Sequence, residues 1–336
     1  MLSLRHWFGR RQVPVLGIDI GAGGIRIVEL GQASSGLRIL HYAHEPMPHP
    51  LQRDGSLAPS EEVVAALRRA LRKSGTRLRT AALALPSGSV IKKTLTLPTP
   101  RFEEELEMQV EAEASQSLPF PMEEISLDFG NLGPSPNHPD STDVLLVAAR
   151  KDRIEERVAL AEAAGMKALI IDVESHALMS AVAMMDGRRV QPPAETDQPV
   201  LVLQLAAEGN HCYFMHQGAM LFEHELGLSL PKKDAKRDAT ASVAAMTVFQ
   251  ESLCQELSRA LQLFSTSGLH APVTRLYLVG ADAMASELVG CLQSRLSLSV
   301  SVPDPFAELD GAQAIAQADA SAYLLACGLA MRSFYG

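Results

Sequence analysis

The 336-residue sequence holds four cysteines, Cys212, Cys254, Cys291 and Cys327, and no two of them form a C-x-x-C pair. That spacing argues against a disulfide or cysteine-metal framework, and apolar neighbours mark each thiol as a small buried hydrophobe in a reducing compartment. Long apolar runs are missing as well. No stretch approaches the ~20 apolar residues of a membrane-spanning helix. Near the start, Pro14, Gly17 and Asp19 interrupt the run that a secretory signal would need, so a cytoplasmic location is expected. Positive charge is scarce too. The formal net charge of -9 excludes a generally basic, nucleic-acid-binding surface. The basic segment of residues 1–12, with Trp7 and Phe8 among Arg5, Arg10 and Arg11, reads as a tail that is either solvated or in contact with a membrane surface.

What is present is a chain of 47% hydrophobic and 21% charged residues, long enough for two ordinary domains. Its central stretch is Val15 to Leu30. An apolar run ends in Asp19-Ile20-Gly21, passes through Ala22-Gly23-Gly24, and resumes with Ile25, Ile27 and Leu30. This pattern predicts a hairpin, and its small-residue turn lets backbone N–H groups approach an anion. Asp19, at the end of the first strand, is placed to reach a metal ion through water. An ordinary glycine-rich hairpin is the alternative.

Downstream, Gly36 to Ala43 completes a meander. A helix follows Ser60 as N-cap and ends at Gly75, with Val63, Val64, Leu67, Ala70 and Leu71 on its buried stripe. Strands are expected over 80–85, 89–97, 125–132, 143–149 and, as a buried strand, 168–173. A helix over 102–118 turns Phe102, Leu106 and Val110 to one face. Another opens with Asp152 and Glu155 as a capping box and closes at Gly165. Residues 187–198 read as a linker.

Beyond it, strands over 200–205, 212–216 and 220–225 repeat the opening meander, as an internal duplication would. A long helix runs from Ser242, and a strand at 275–279 meets Gly280-Ala281. His211, His216 and His224 alternate with apolar residues, and no carboxylate or cysteine repeats at ligand spacing beside them. Lys232 to Asp238 reads as a solvated charged loop. Two α/β halves of like topology indicate a duplicated actin-like fold, split as 1–12, 13–198 and 199–336.

Several blocks resemble the PilM family, cytoplasmic actin-like proteins of type IV pilus assembly. They include Leu16 to Gly21, Leu85 to Thr94, Glu111 to Glu113, Leu118 to Glu124, Leu127 to Phe129, Asp143 to Arg150, Asp172 to Ser175 and Ala326 to Phe334. The resemblance implies an actin-like ATPase fold with a subdomain inserted in the first half at about 85–150. It implies a partner, the cytoplasmic tail of the inner-membrane protein PilN, held in a groove beside that subdomain, with Leu118, Pro119, Phe120, Phe129 and Arg150 as lining candidates. It also implies an ATP and magnesium site at Asp19, Gly21, Ala22, Gly23, Gly24, Glu174, Gly280 and Ala281, with Asp19 on the metal side.

Two departures weaken the nucleotide reading. Gln204 stands where the second half of an actin-like ATPase carries its aspartate, and Ala206 replaces a glycine. An amide is a poorer partner than a carboxylate for the water around magnesium. The interval before the long helix is also too short for the family's lid subdomain, which reads as reduced to a loop. A non-enzymatic adaptor with a degenerate nucleotide site is therefore the expected function. The alternatives are an active ATPase of pilus assembly and the actin-like cytoplasmic part of a type II secretion system.

Overall fold

A computed structural model describes residues 13–21, 23–34, 36–47, 60–100, 102–136, 138–187, 198–206, 209–228, 239–266, 271–280, 286–309 and 320–334. The basic N-terminal tail, the centre of the expected linker, the Lys232 to Asp238 loop, Ala22 and Ala281 lie outside the described residues.

The first sheet has the order β3-β2-β1-β4-β8. Its strands are β1 (Leu16–Gly21), β2 (Gly24–Ala33), β3 (Gly36–Glu45), β4 (Thr80–Leu85) and β8 (Lys167–Val173). The second sheet has the order β11-β10-β9-β12-β13. It is built from β9 (Val200–Leu205), β10 (Asn210–His216), β11 (Ala219–Leu226), β12 (Arg275–Val279) and β13 (Ser299–Ser301). Each sheet is an antiparallel meander whose first strand then pairs in parallel with a later one. The expected duplication is thus visible as two sheets of the same order. A third, three-stranded sheet, β5-β7-β6, lies between β4 and β8 in sequence. It comprises β5 (Val90–Pro98), β6 (Ile125–Pro134) and β7 (Ser141–Arg150), with α2 (Glu103–Ser117) packed on it.

Local sequence explains most helix ends. Helix α1 (Glu61–Ser74) starts where the Val63 N–H donates to Ser60 Oγ at 3.3 Å and stops at Gly75, whose φ of 69° suits a residue without a Cβ. Helix α3 (Lys151–Ala163) departs from expectation at its start. Its N-cap is Arg150 and no side chain caps it, because Asp152 faces backward and accepts from the Arg150 guanidinium at 2.6 and 3.2 Å. Phe102 also differs: at the N-cap of α2 it is 56% exposed, one turn too early to share the buried stripe of Leu106, Val110 and Ala114. Strand β8 is an edge strand, so Leu169 stays exposed where a buried strand was expected over 168–173.

The two sheets rest on a shared helix pair. Helix α4 (Glu174–Gly187) and helix α8 (Leu324–Met331) place Leu178, Val182, Leu324 and Cys327 in one core with Val28 and Ile39 of the first sheet and Val202 and Tyr213 of the second. The helices approach so closely that a Cβ on Gly328 would sit 1.8 Å from the Ala177 carbonyl oxygen. A second core under the other sheet joins Leu201, Leu203 and Phe214 to Phe249, Leu253 and Leu257 of α5 (Ala239–Thr266) and to Leu288 of α6 (Ser286–Leu296). All four thiols are free. Cys212, Cys254 and Cys327 are buried, and burial pushes the Cys212 thiol up to about 12. No helix among the described residues is long and apolar enough to cross a membrane.

Candidate functional site

Strands β1 and β2 close on the Gly21–Gly24 rung, leaving a two-residue turn. Two rungs below, Asp19 faces Arg26, with Oδ2 and Nη1 3.8 Å apart and both side chains nearly buried. Arg26 Nη2 reaches the Gly23 carbonyl at 3.5 Å, and His44 Nε2 lies 2.9 Å from the same oxygen. Gly24 has φ of 122°, and a Cβ there would stand 2.4 Å from His44 Nε2, so this position requires glycine. The turn therefore combines accessible backbone with a buried guanidinium. In the sequence Arg26 reads as one more strand residue; its alternation to the same side as Asp19 was the available signal.

The corresponding hairpin of the second sheet is built differently. Strands β9 and β10 close on the Leu205–Asn210 rung, and Asn210 Oδ1 accepts from the Ala206 N–H at 3.1 Å. Gln204 is buried and its Oε1 accepts from the Tyr213 hydroxyl at 2.9 Å. The Tyr213 hydroxyl in turn lies 3.3 Å from Ser87 Oγ, which accepts from the Ser175 N–H at 3.2 Å. Lys92 Nζ donates to Ser175 Oγ at 3.1 Å and forms an ion pair with Glu223 of β11. A chain of polar contacts thus runs from the second sheet through residues of β9, β10 and β11 to β5 and the start of α4. Burial raises the Tyr213 pKa well above the ordinary phenol value, so the hydroxyl keeps its proton. Gly280, with φ of 116°, packs so tightly on β9 that a Cβ would fall 2.0 Å from the Leu205 carbonyl oxygen.

Beside this chain lies a cleft of about 460 Å³. One wall carries Leu118, Phe120, Ile125 and Arg150, and the Pro86 to Ile91 segment forms its floor with Glu174. The facing wall comes from the second sheet: Ala206, Gly209, His211 and Glu225. Phe120 is exposed, with the Arg150 guanidinium 5.8 Å over its ring. Pro119 is exposed next to it. Phe129 instead packs against the core formed by Leu95, Leu106 and Leu146. The cleft thus brings together Leu118, Phe120, Arg150 and Glu174 from the expected residues, whereas Asp19, Gly21, Gly23 and Gly24 are not among its lining. Ser87, Tyr213, Glu223 and Glu225 escaped sequence reasoning, although Ser87 and Glu223 stand in strands and turns that it did place, and His211 was weighed there only as a metal ligand.

Residues 17–229 and 232–334 match the model of a family described as type IV pilus assembly protein PilM. Among solved structures, the chain is similar to that of a PilM-PilN type IV pilus biogenesis complex, with a TM-score of 0.79 and 23% identity over 96% of this chain and 99% of that one. It is also similar to the ethanolamine utilization protein EutJ from Carboxydothermus hydrogenoformans, with a TM-score of 0.50 and 12% identity, covering 98% of this chain and 94% of that chain. The fold is that of actin-like ATPases, with mixed sheets.

Proposed function

The chain belongs to the PilM family of type IV pilus assembly proteins, and from that premise we propose that it is an adaptor whose cleft holds the cytoplasmic tail of a PilN-like inner-membrane protein. The observation that carries this reading is the cleft itself, which is lined by Leu118, Phe120 and Arg150 together with the Pro86 to Ile91 segment. An exposed phenylalanine beside a groove of this size is the kind of anchor around which peptide interfaces form. In this reading the β5-β7-β6 unit, about residues 85–150, is an inserted subdomain of a first half (13–198), and residues 199–336 form a second half with a reduced lid. The protein sits on the cytoplasmic side of the inner membrane through its partner. The family match favours the pilus over a type II secretion system.

A nucleotide fits only one side of this arrangement. The first hairpin offers Gly21, Gly23 and Gly24 backbone with the Arg26 cation to a phosphate, and Asp19 to a magnesium ion. The second half offers Gln204, whose carbonyl oxygen is already taken by Tyr213, and Gly280 is closed against Leu205. Residues present on both sides therefore do not fit a magnesium-ATP clamp, and no hydrolytic step is assigned to them. The intact first hairpin is the one feature that favours the second reading, an active ATPase.

The test is a fluorescence-polarisation titration of the full-length protein with the labelled N-terminal tail of its cognate PilN protein. Saturable binding is expected, and Phe120→Ala should weaken it about thirtyfold, the loss of a ~2 kcal/mol hot spot. Absence of binding to the folded wild-type protein contradicts the adaptor reading.

A further inference from the structure

One end of the first sheet gathers positive charge in a chain whose net charge is -9. Between residues 68 and 80 stand Arg68, Arg69, Arg72, Lys73, Arg77 and Arg79, and no carboxylate. Strands β1, β4 and β8 run parallel, so their first residues lie at the same end of the sheet, and α1 stops at Gly75 just before β4 begins there. Two contacts tie this end together: the Lys167 N–H donates to the Arg79 carbonyl at 2.7 Å, and the Thr80 hydroxyl donates to the Pro14 carbonyl at 2.6 Å. Some of the cations are occupied. Arg69 and Lys73 pair with Glu45, and the Arg68 guanidinium donates to the Ala163 carbonyl. Arg72, Arg77, Arg79 and Lys167 are exposed and join no ion pair among the described residues. Little negative charge offsets them. Glu29 accepts from the Thr76 hydroxyl, and Glu162 is the exposed carboxylate nearest in sequence to Lys167.

Apolar side chains stand exposed beside these charges: Val13 ahead of β1, and Leu169 two residues beyond Lys167 on the edge strand. The sequence leading into Val13 holds Trp7 and Phe8 among Arg5, Arg10 and Arg11. Cations interleaved with aromatic and aliphatic side chains match a surface where anionic headgroups overlie hydrocarbon. We propose that this end of the first sheet docks directly on a bilayer surface of anionic phospholipid headgroups. Arg72, Arg77, Arg79 and Lys167 meet the phosphates, and Trp7, Phe8 and Val13 reach the boundary with the acyl chains. A nucleic acid would draw on the same cations, but its phosphate backbone gives the exposed valine and leucine nothing to bury against. The inference is independent of the tail-binding reading and goes beyond it, since membrane contact is then made by this chain as well as by its partner.

The experiment is sedimentation of the full-length protein, without any partner, with vesicles of equal parts phosphatidylglycerol and phosphatidylcholine and with vesicles of phosphatidylcholine alone. Binding to the anionic vesicles that weakens as salt rises is expected, with none to the neutral ones. Arg72→Gln, Arg77→Gln and Lys167→Gln, combined, remove exposed cations that join no ion pair, so the fold should stay intact, as an unchanged urea midpoint would verify. At about fivefold per cation near an anionic surface, this triple variant should bind the vesicles roughly a hundredfold more weakly. Trp7→Ser with Phe8→Ser should also weaken binding, by a similar factor at low and high salt, because it removes apolar contact rather than charge. No sedimentation of wild-type protein with anionic vesicles, or equal sedimentation of the triple variant and the wild type, overturns the proposal. A labelled DNA duplex bound more tightly than the anionic vesicles through the same three residues overturns it too and makes the patch a nucleic-acid surface. The triple variant should leave the PilN-tail titration unchanged, so failure here and failure of the adaptor reading are separate results.

Discussion

Near the tips of their central hairpins the first half carries Asp19 opposite Arg26, two rungs below the closing pair, and the second carries Gln204 opposite His211, one rung below its own. The first rung is a pair of charges; the second is an amide and a neutral imidazole. Around them the backbone differs as well, a two-residue turn between glycines in one half and a longer turn closed by the Asn210 side chain in the other. Yet both sheets have the same strand order. Apolar alternation along the strands sets that order, and it tolerates any polar residue at the hairpin tip. The tip decides what each half does. In the first, an acid and a cation stand beside accessible backbone. In the second, Gln204 and Tyr213 are turned into the seam between the halves, and His211 is left facing the cleft.

The comparison presupposes that both sheets share one foundation, and the largest expected effect tests it. Gly328→Val forces a side chain into the Ala177 carbonyl between α4 and α8. It should cost about 3 kcal/mol or abolish folding, read by urea denaturation. A fully stable variant breaks the account of one shared core.

A sharper contrast sets one hairpin against the other. Tyr213→Phe removes the hydroxyl between Ser87 and Gln204 and leaves the buried Gln204 oxygen without a donor, at a cost of about 1–3 kcal/mol. Asp19→Asn leaves the nearly buried Arg26 guanidinium facing a neutral amide and should cost more, about 3 kcal/mol or above. Equal losses in chemical denaturation would erase the distinction between a seam and a site.

The smallest effect is a pH slope. Burial lowers the pKa of both His176 and His211 below the ordinary 6.5. As pH falls below that value the unfolded chain takes up these protons first, so stability present at neutral pH declines. His211→Phe keeps a ring against Tyr213 and removes one titrating group. Its stability should fall less than that of the wild type between about pH 7 and about pH 5. An unchanged slope would mean that His211 takes up its proton as readily in the folded protein as in the unfolded chain.

Much of this architecture was legible before the structure. Strand alternation placed both meanders, and Ser60 and Gly75 marked the ends of α1 because their roles are local. Local rules also misled, since Asp152 had a nearer partner in Arg150 than the backbone it was expected to cap. The seam was hidden for a different reason. Ser87 meets Tyr213 across 126 residues and Lys92 meets Glu223 across 131, and no pattern in a single sequence reports pairs so distant. Gln204 could be seen as a departure from an aspartate; that a tyrosine hydroxyl donates to it could not. The cleft was half visible: Leu118, Phe120 and Arg150 came from one wall, while His211 and Glu225 belong to a wall that only the closure of the two halves creates.

Hydrogen exchange followed by mass spectrometry tests the central claim most directly, on full-length protein alone, with the PilN tail and with magnesium-ATP. Slowed exchange at residues 86–91 and 118–125 with the tail, and no slowing across the 204–211 hairpin with nucleotide, is the predicted result. Slowing of both the 16–30 and 204–211 hairpins by magnesium-ATP, with none in the cleft from the tail, would contradict it and make this chain a nucleotide clamp.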